Sequence, residues 1–151
     1  MIMTLNDVLT KQNVITKIEL ATDSKELPKE LKVKIMRMRM AYNKVRKQFD
    51  EDLKEFSEQI VPEELKELSN KKDRTTEEDE RFVELNNKAN AEYNEFVIQK
   101  SNEEVKDEIN DKLTEEEYFE IMEVNAANDV EINGNKIKAA DFLEIIYDLF
   151  V

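Results

Sequence analysis

Nine apolar residues set the outline of this chain. Leu31, Ile35, Met38, Tyr42, Val45, Phe49, Leu53, Phe56 and Ile60 are separated by 4, 3, 4, 3, 4, 4, 3 and 4 positions. Steps of three and four keep side chains on one face of an α-helix, whereas a strand needs a period of two. The extra step of four at Phe49–Leu53 is a stutter, which locally unwinds a coiled-coil supercoil. Pro28 is a favourable first helical residue. A helix over 28–60 is therefore predicted, a rod of roughly 48 Å at about 1.5 Å per residue. Such a seam needs a partner to cover it.

A second seam supplies the partner. Thr75 and Glu78 form a capping-box pattern, and Phe82, Leu85, Ala89, Tyr93 and Phe96 follow at steps of 3, 4, 4 and 3. Folding 76–100 back on 28–60 sets Phe49–Leu53 level with Leu85–Tyr93. Both seams then break register at one height, as two halves of an antiparallel helical hairpin should. Phe49 and Leu53 are expected to be buried there. Between the two helices, Pro62 interrupts the chain, Glu63–Leu68 reads as a short helical turn with Leu65 and Leu68 inward, and Ser69–Arg74 as a polar bend.

Shorter elements surround the hairpin. Residues 4–21 read as a helix capped by Thr4 or Asn6, with a strand over Val14–Leu20 as the competing reading. Thr22-Asp23-Ser24-Lys25 reads as a polar linker. Ser101 or Asn102 is placed to cap a short helix carrying Val105 and Ile109. Thr114, followed by Glu115, Glu116 and Glu117, opens a helix over 114–125, with acidic residues where the helix dipole favours them. Its apolar side holds Tyr118, Phe119, Ile121, Met122 and Val124. Asn133-Gly134 contains the only glycine and signals a tiny β-ribbon near 130–137. Residues 139–151 form a last helix. With one Gly and two Pro in 151 residues, sharp turns are too few for a hairpin-rich β fold. The expectation is a single all-α domain over 1–151.

Charge is unevenly spread. Residues 1–48 carry 11 Lys/Arg against 5 Asp/Glu, while the whole chain has a net charge of −13. A basic head is thus joined to an acidic body, which bears on solubility and partners. There is no cysteine and no histidine, so disulfides, thiolate chemistry and zinc–thiolate or imidazole sites are excluded. No Gly-rich phosphate loop or nucleophile elbow is present. Asp129, Glu131, Asn133 and Gly134 match the opening of a calcium loop, but the position of its bidentate Glu holds Ala140. No catalytic residue, metal or cofactor is expected, and the chain is read as a non-enzyme. No signal-peptide pattern and no apolar run near the ~20 residues of a membrane span is found.

Two candidate surfaces remain. Lys32, Lys34, Arg37, Arg39, Lys44, Arg46 and Lys47 form an electrostatic patch that could contact phosphates. The sequence offers no free aromatic residue there for base stacking, so the patch is expected to face acidic protein instead. Met36 and Met40, four apart, make a second apolar strip beside the seam, expected to pack on 4–21 or on another subunit. The C-terminal helix is apolar nearly all round. One face, centred on Leu143, Ile146 and Phe150, is assigned to the chain's own core. The other, with Phe142, Ile145 and Leu149, is assigned to a partner, with burial of both faces in the chain's own core as the rival reading.

The run Leu27-Pro28-Lys29-Glu30-Leu31-Lys32-Val33-Lys34-Ile35, continued by Ala41-Tyr42-Asn43-Lys44-Val45, resembles the start of the long helix in a family of small helical bacteriophage proteins of no settled function. The acidic second helix and the closing segment Ile132–Phe150 are similar in outline, so the resemblance spans residues 5–150. Genes of that family often lie in the structural module of tailed phages. The resemblance implies a virion component or assembly factor in the virion or host cytoplasm, with other phage structural proteins or further copies of itself as partners. It carries no functional residues with it. An acidic mimic of DNA that blocks a host nucleic-acid-binding enzyme is the alternative, and direct nucleic-acid binding ranks third.

Overall fold

Three threonines start three of the helices. Thr4, Thr75 and Thr114 each accept a hydrogen bond from the backbone N–H three residues on, and Asp7, Glu78 and Glu117 reach back to the cap N–H. These reciprocal bonds satisfy donors that a helix start otherwise leaves open. The computed structural model describes residues 3–20 and 26–151. Among them the order is α1 (Leu5–Ile15), α2 (Lys29–Ile60), α3 (Glu63–Asn70), α4 (Thr76–Ser101), α5 (Glu115–Asn125), β1 (Val130–Ile132), β2 (Asn135–Ile137) and α6 (Ala139–Phe150). The fold is mainly α-helical with one small antiparallel ribbon.

The chain divides into two compact units. One comprises the residues up to Arg46 with Val105–Val151, the other Lys47–Glu104. Residues of α2 contribute to both. Each unit has its own core.

In the first unit, Leu31, Ile35, Met38 and Tyr42 of α2 join Val8 and Ile15 of α1, Tyr118 and Ile121 of α5, and Phe142, Ile146 and Phe150 of α6 in one buried cluster. Backbone bonds tie its periphery: the Val105 N–H donates to Met3 O and the Leu113 N–H to Phe150 O, each at 2.8 Å. β1 and β2 pair Ile132 with Asn135 across a two-residue turn. Asn133 and Gly134 there have φ of 52° and 79°, the left-handed pair that a type I′ turn requires.

In the second unit the antiparallel hairpin is shorter and shifted. Phe56 stacks on Phe96 with ring centroids 4.0 Å apart, and Lys100 meets Asp52 at 3.7 Å. Phe49–Leu53 is therefore not level with Leu85–Tyr93. α3 supplies the cover there instead, its Leu65 and Leu68 packing with Leu85 and Ala89. Phe49 is buried, but Leu53 is half-buried.

Other expectations change locally. α1 stops at Ile15, and single-turn bonds from Lys17 to Val14 and Ile18 to Ile15 follow. No strand forms over Val14–Leu20, because Val14, Ile15 and Ile18 all enter one core. Thr22–Lys25 and the end of the expected 4–21 helix lie outside the described residues. No helix starts at Ser101: α4 runs through it and Asn102 is its C-cap. Val105 and Ile109 reach the first core from irregular chain instead.

Candidate functional site

A buried polar cluster lies inside the first unit. Lys11 on α1 places Nζ 2.6 Å from Asp111 Oδ2, and the Tyr42 hydroxyl on α2 donates to the same oxygen at 3.1 Å. Lys11 also sits 5.8 Å from the centre of the Phe150 ring. Burial, reinforced by the Asp111 charge and hydrogen bond, pushes the Tyr42 hydroxyl far above the ordinary tyrosine range. A phenol held so firmly protonated is a fixed donor. Asn125 closes a second link: its side chain donates to Ile121 O at 2.8 Å and accepts from the Glu19 N–H at 2.8 Å. Among the described residues, no buried side-chain polar atom lacks a partner. These contacts brace the core. Asp111 sits within an acidic run, so sequence alone offered one signal only, a tyrosine in the middle of an apolar seam whose hydroxyl needs an acceptor.

The seven basic residues of the expected patch part company. Lys34 pairs with Glu117 of α5 at 2.7 Å, and Lys32 with Glu26 at 3.3 Å. The Arg46 guanidinium donates to Gln12 Oε1 at 3.1 Å. Arg39 is half-buried, and Lys47 belongs to the second unit. Arg37 and Lys44 are exposed, and no carboxylate among the described residues pairs with them. Burial works to raise Glu117, but the hydrogen bond from Lys34, the Thr114 N–H and the Lys34 charge hold it below the usual carboxylate range.

Met36 and Met40 do not pack on α1. They are 53% and 69% exposed, with Val33 at 39%. At about 100° per residue, Lys29, Val33, Met36, Arg37, Met40 and Lys44 fall within roughly 100° of arc on one side of α2. The strip borders a shallow recess lined by Glu30, Val33, Lys34, Arg37 and Asn110. It is an apolar line with cations along it.

The same unit carries an opposite surface. Phe119 on α5 is 55% exposed and Tyr147 on α6 is 44% exposed, and both rings lean on Tyr118, at 5.9 and 5.2 Å. α5 and α6 together hold Glu115, Glu116, Glu117, Glu120, Glu123, Asp141, Glu144 and Asp148 and no Lys or Arg. Burial, with Glu144, Tyr147 and Asp148 adding, raises the Tyr118 hydroxyl. Phe119 was expected on the apolar core side of this helix; it faces out among glutamates instead.

Residues of the α6 face assigned to a partner pack on the chain's own core. Phe142 is completely buried, and Ile145 and Leu149 are half-buried against the same core as Leu143, Ile146 and Phe150. Residues from both sides of α6 thus contribute to the first unit's core. Asp129, first residue of the calcium-like run, accepts from the Ala139 N–H at 3.2 Å and lies 3.9 Å from Lys136. Among the described residues, no group of three or more carboxylates gathers to hold a metal, and no helix is long and apolar enough to cross a membrane. No family model, curated protein or solved structure matches the chain.

Proposed function

We propose that this chain works through protein–protein contact rather than catalysis, docking an acidic protein surface on the Val33–Met36–Met40 side of α2. The observation that carries the reading is a pair of methionines more than half exposed, set among Lys29, Arg37 and Lys44. Exposed methionines are adaptable packing groups, and cations beside them select an acidic partner and speed its approach. Two further features support the reading. The buried Lys11–Asp111–Tyr42 cluster is closed on itself, and apolar methionines rather than stacking rings lie between the cations. In the setting the phage resemblance implies, the protein is a virion component or assembly factor.

The test is a benzophenone photocrosslinker at position 40, in cells expressing the chain with its native neighbouring genes. Adducts should be protein, should map to acidic peptides, and should fall away with Met36→Asp; a crosslinker at position 72 serves as control. Adducts to nucleic acid, or none above the control, would overturn the docking reading. Peptide mass spectrometry of purified particles separates a virion component from an assembly factor.

A further inference from the structure

The first unit carries both halves of a complementary pair. One side of α2 is apolar and cationic; the α5–α6 surface is aromatic, and apart from Glu117 its carboxylates have no ion-pair partner among the described residues. We propose that the acidic surface docked on the α2 strip is the α5–α6 face of a second copy of this chain, a proposal that rests on the docking reading above. Phe119 would lie against Met36 and Met40, with Glu116, Glu120 and Glu123 beside it meeting Lys29, Arg37 and Lys44. Phe119 has Glu116 three residues before it and Glu123 four after, so ring and carboxylates share one side of α5. The strip likewise alternates cations with apolar residues at helical spacing.

Two different surfaces meet in such a contact, so the association is head-to-tail. It grows into a ring if the rotation closes and into an open filament if it does not. From Lys29 to Lys44 the strip runs about 22 Å, which places each contact in the small, reversible class. The net charge of −13 opposes bringing two copies together at low ionic strength. At about 0.15 M salt, screening over roughly 8 Å damps that long-range repulsion while groups in contact still attract. Association should therefore be stronger there than in very dilute buffer and weaken again near molar salt.

Sedimentation equilibrium on the full chain across a concentration series is the test. The weight-average mass should climb from the 17.9 kDa monomer past that of a dimer. Met36→Asp/Met40→Asp should remain monomeric, as should Phe119→Lys/Glu123→Lys. Mixed in equal amounts, the two should form a one-to-one dimer and stop, because each retains the face the other lacks. Arg37→Glu/Lys44→Glu repeats the first arm with no apolar residue changed, and circular dichroism confirms that every variant keeps its helix. A wild-type chain that stays monomeric throughout, variants that still associate alone, or a mixture that stays monomeric each overturns the proposal. A monomeric wild type whose position 40 still crosslinks to a different acidic protein leaves the docking reading standing and removes self-association alone. No protein adduct at all removes both.

Discussion

The two units are built from similar helices but held by different forces. The first gathers sixteen buried residues into one cluster, the second four among the described residues. Beside that smaller core, the second unit has charged pairs on its surface. Arg81 forms a fork to Glu64 at 2.9 and 3.1 Å. Arg74 reaches Leu68 O and Asp79, and lies 4.3 Å from the centre of the Phe82 ring. Exposed pairs contribute little, and segments under about 70 residues seldom draw more than about 3–5 kcal/mol from their own core. The contrast teaches that a regular seam is not a measure of stability. The α2 seam continues through its stutter into the second unit, yet burial along it falls from complete at Tyr42 to partial at Leu53, Phe56 and Ile60.

The largest effect expected is at the first core. Phe142→Ala should cost about 3–5 kcal/mol by chemical denaturation, because a completely buried ring leaves a cavity. Phe56→Ala, at a half-buried stack, should cost about 1–2 kcal/mol. Native-state hydrogen exchange should show amides of α3 and α4 opening at lower free energy than those of α5 and α6. Equal costs, or equal protection, would break the contrast.

Next comes the buried cluster. Asp111→Ala should destabilise by about 3 kcal/mol, since Lys11 and the Tyr42 hydroxyl lose their shared acceptor. Lys11→Met/Tyr42→Phe/Asp111→Leu together should return to within about 1 kcal/mol of wild type. A triple variant as unstable as the single one would mean the cluster does more than satisfy its own groups.

Smaller still is the link from α2 to α5. Glu117 has a lower pKa folded than unfolded, so its contribution is fully present above the unfolded value near 4.3 and is lost as pH falls through the folded one. Glu117→Gln should cost about 0.5–1 kcal/mol at neutral pH, as fits a partly exposed pair, and nothing once wild-type Glu117 is itself protonated. A cost that persists in acid would assign the effect to the Thr114 cap instead of the Lys34 charge. Smallest of all, Arg81→Ala should barely move the unfolding midpoint of the second unit, and molar salt should erase the difference.

Local order was readable from the residues. The Thr75–Glu78 box, the start at Thr114, the Asn133-Gly134 turn and the heptad spacing of α2 each depend on neighbours within a few positions, and those interactions act wherever the chain lies. The hairpin register was not readable. α3 packs Leu65 and Leu68 with Leu85, and a repeating seam offers several registers of nearly equal merit.

The candidate site divides along the same line. Sequence alone determined that cations gather on α2 and carboxylates on α5 and α6, and that Met36 and Met40 form a strip. Only the tertiary structure decided which of them face out. Packing turned Leu31, Ile35, Met38 and Tyr42 inward and left the methionines bare, drew Lys34 onto Glu117, and swallowed Phe142 while exposing Phe119. A helix that is apolar on two sides can bury either, and the choice falls to the helices that surround it, which no residue pattern within the helix itself encodes.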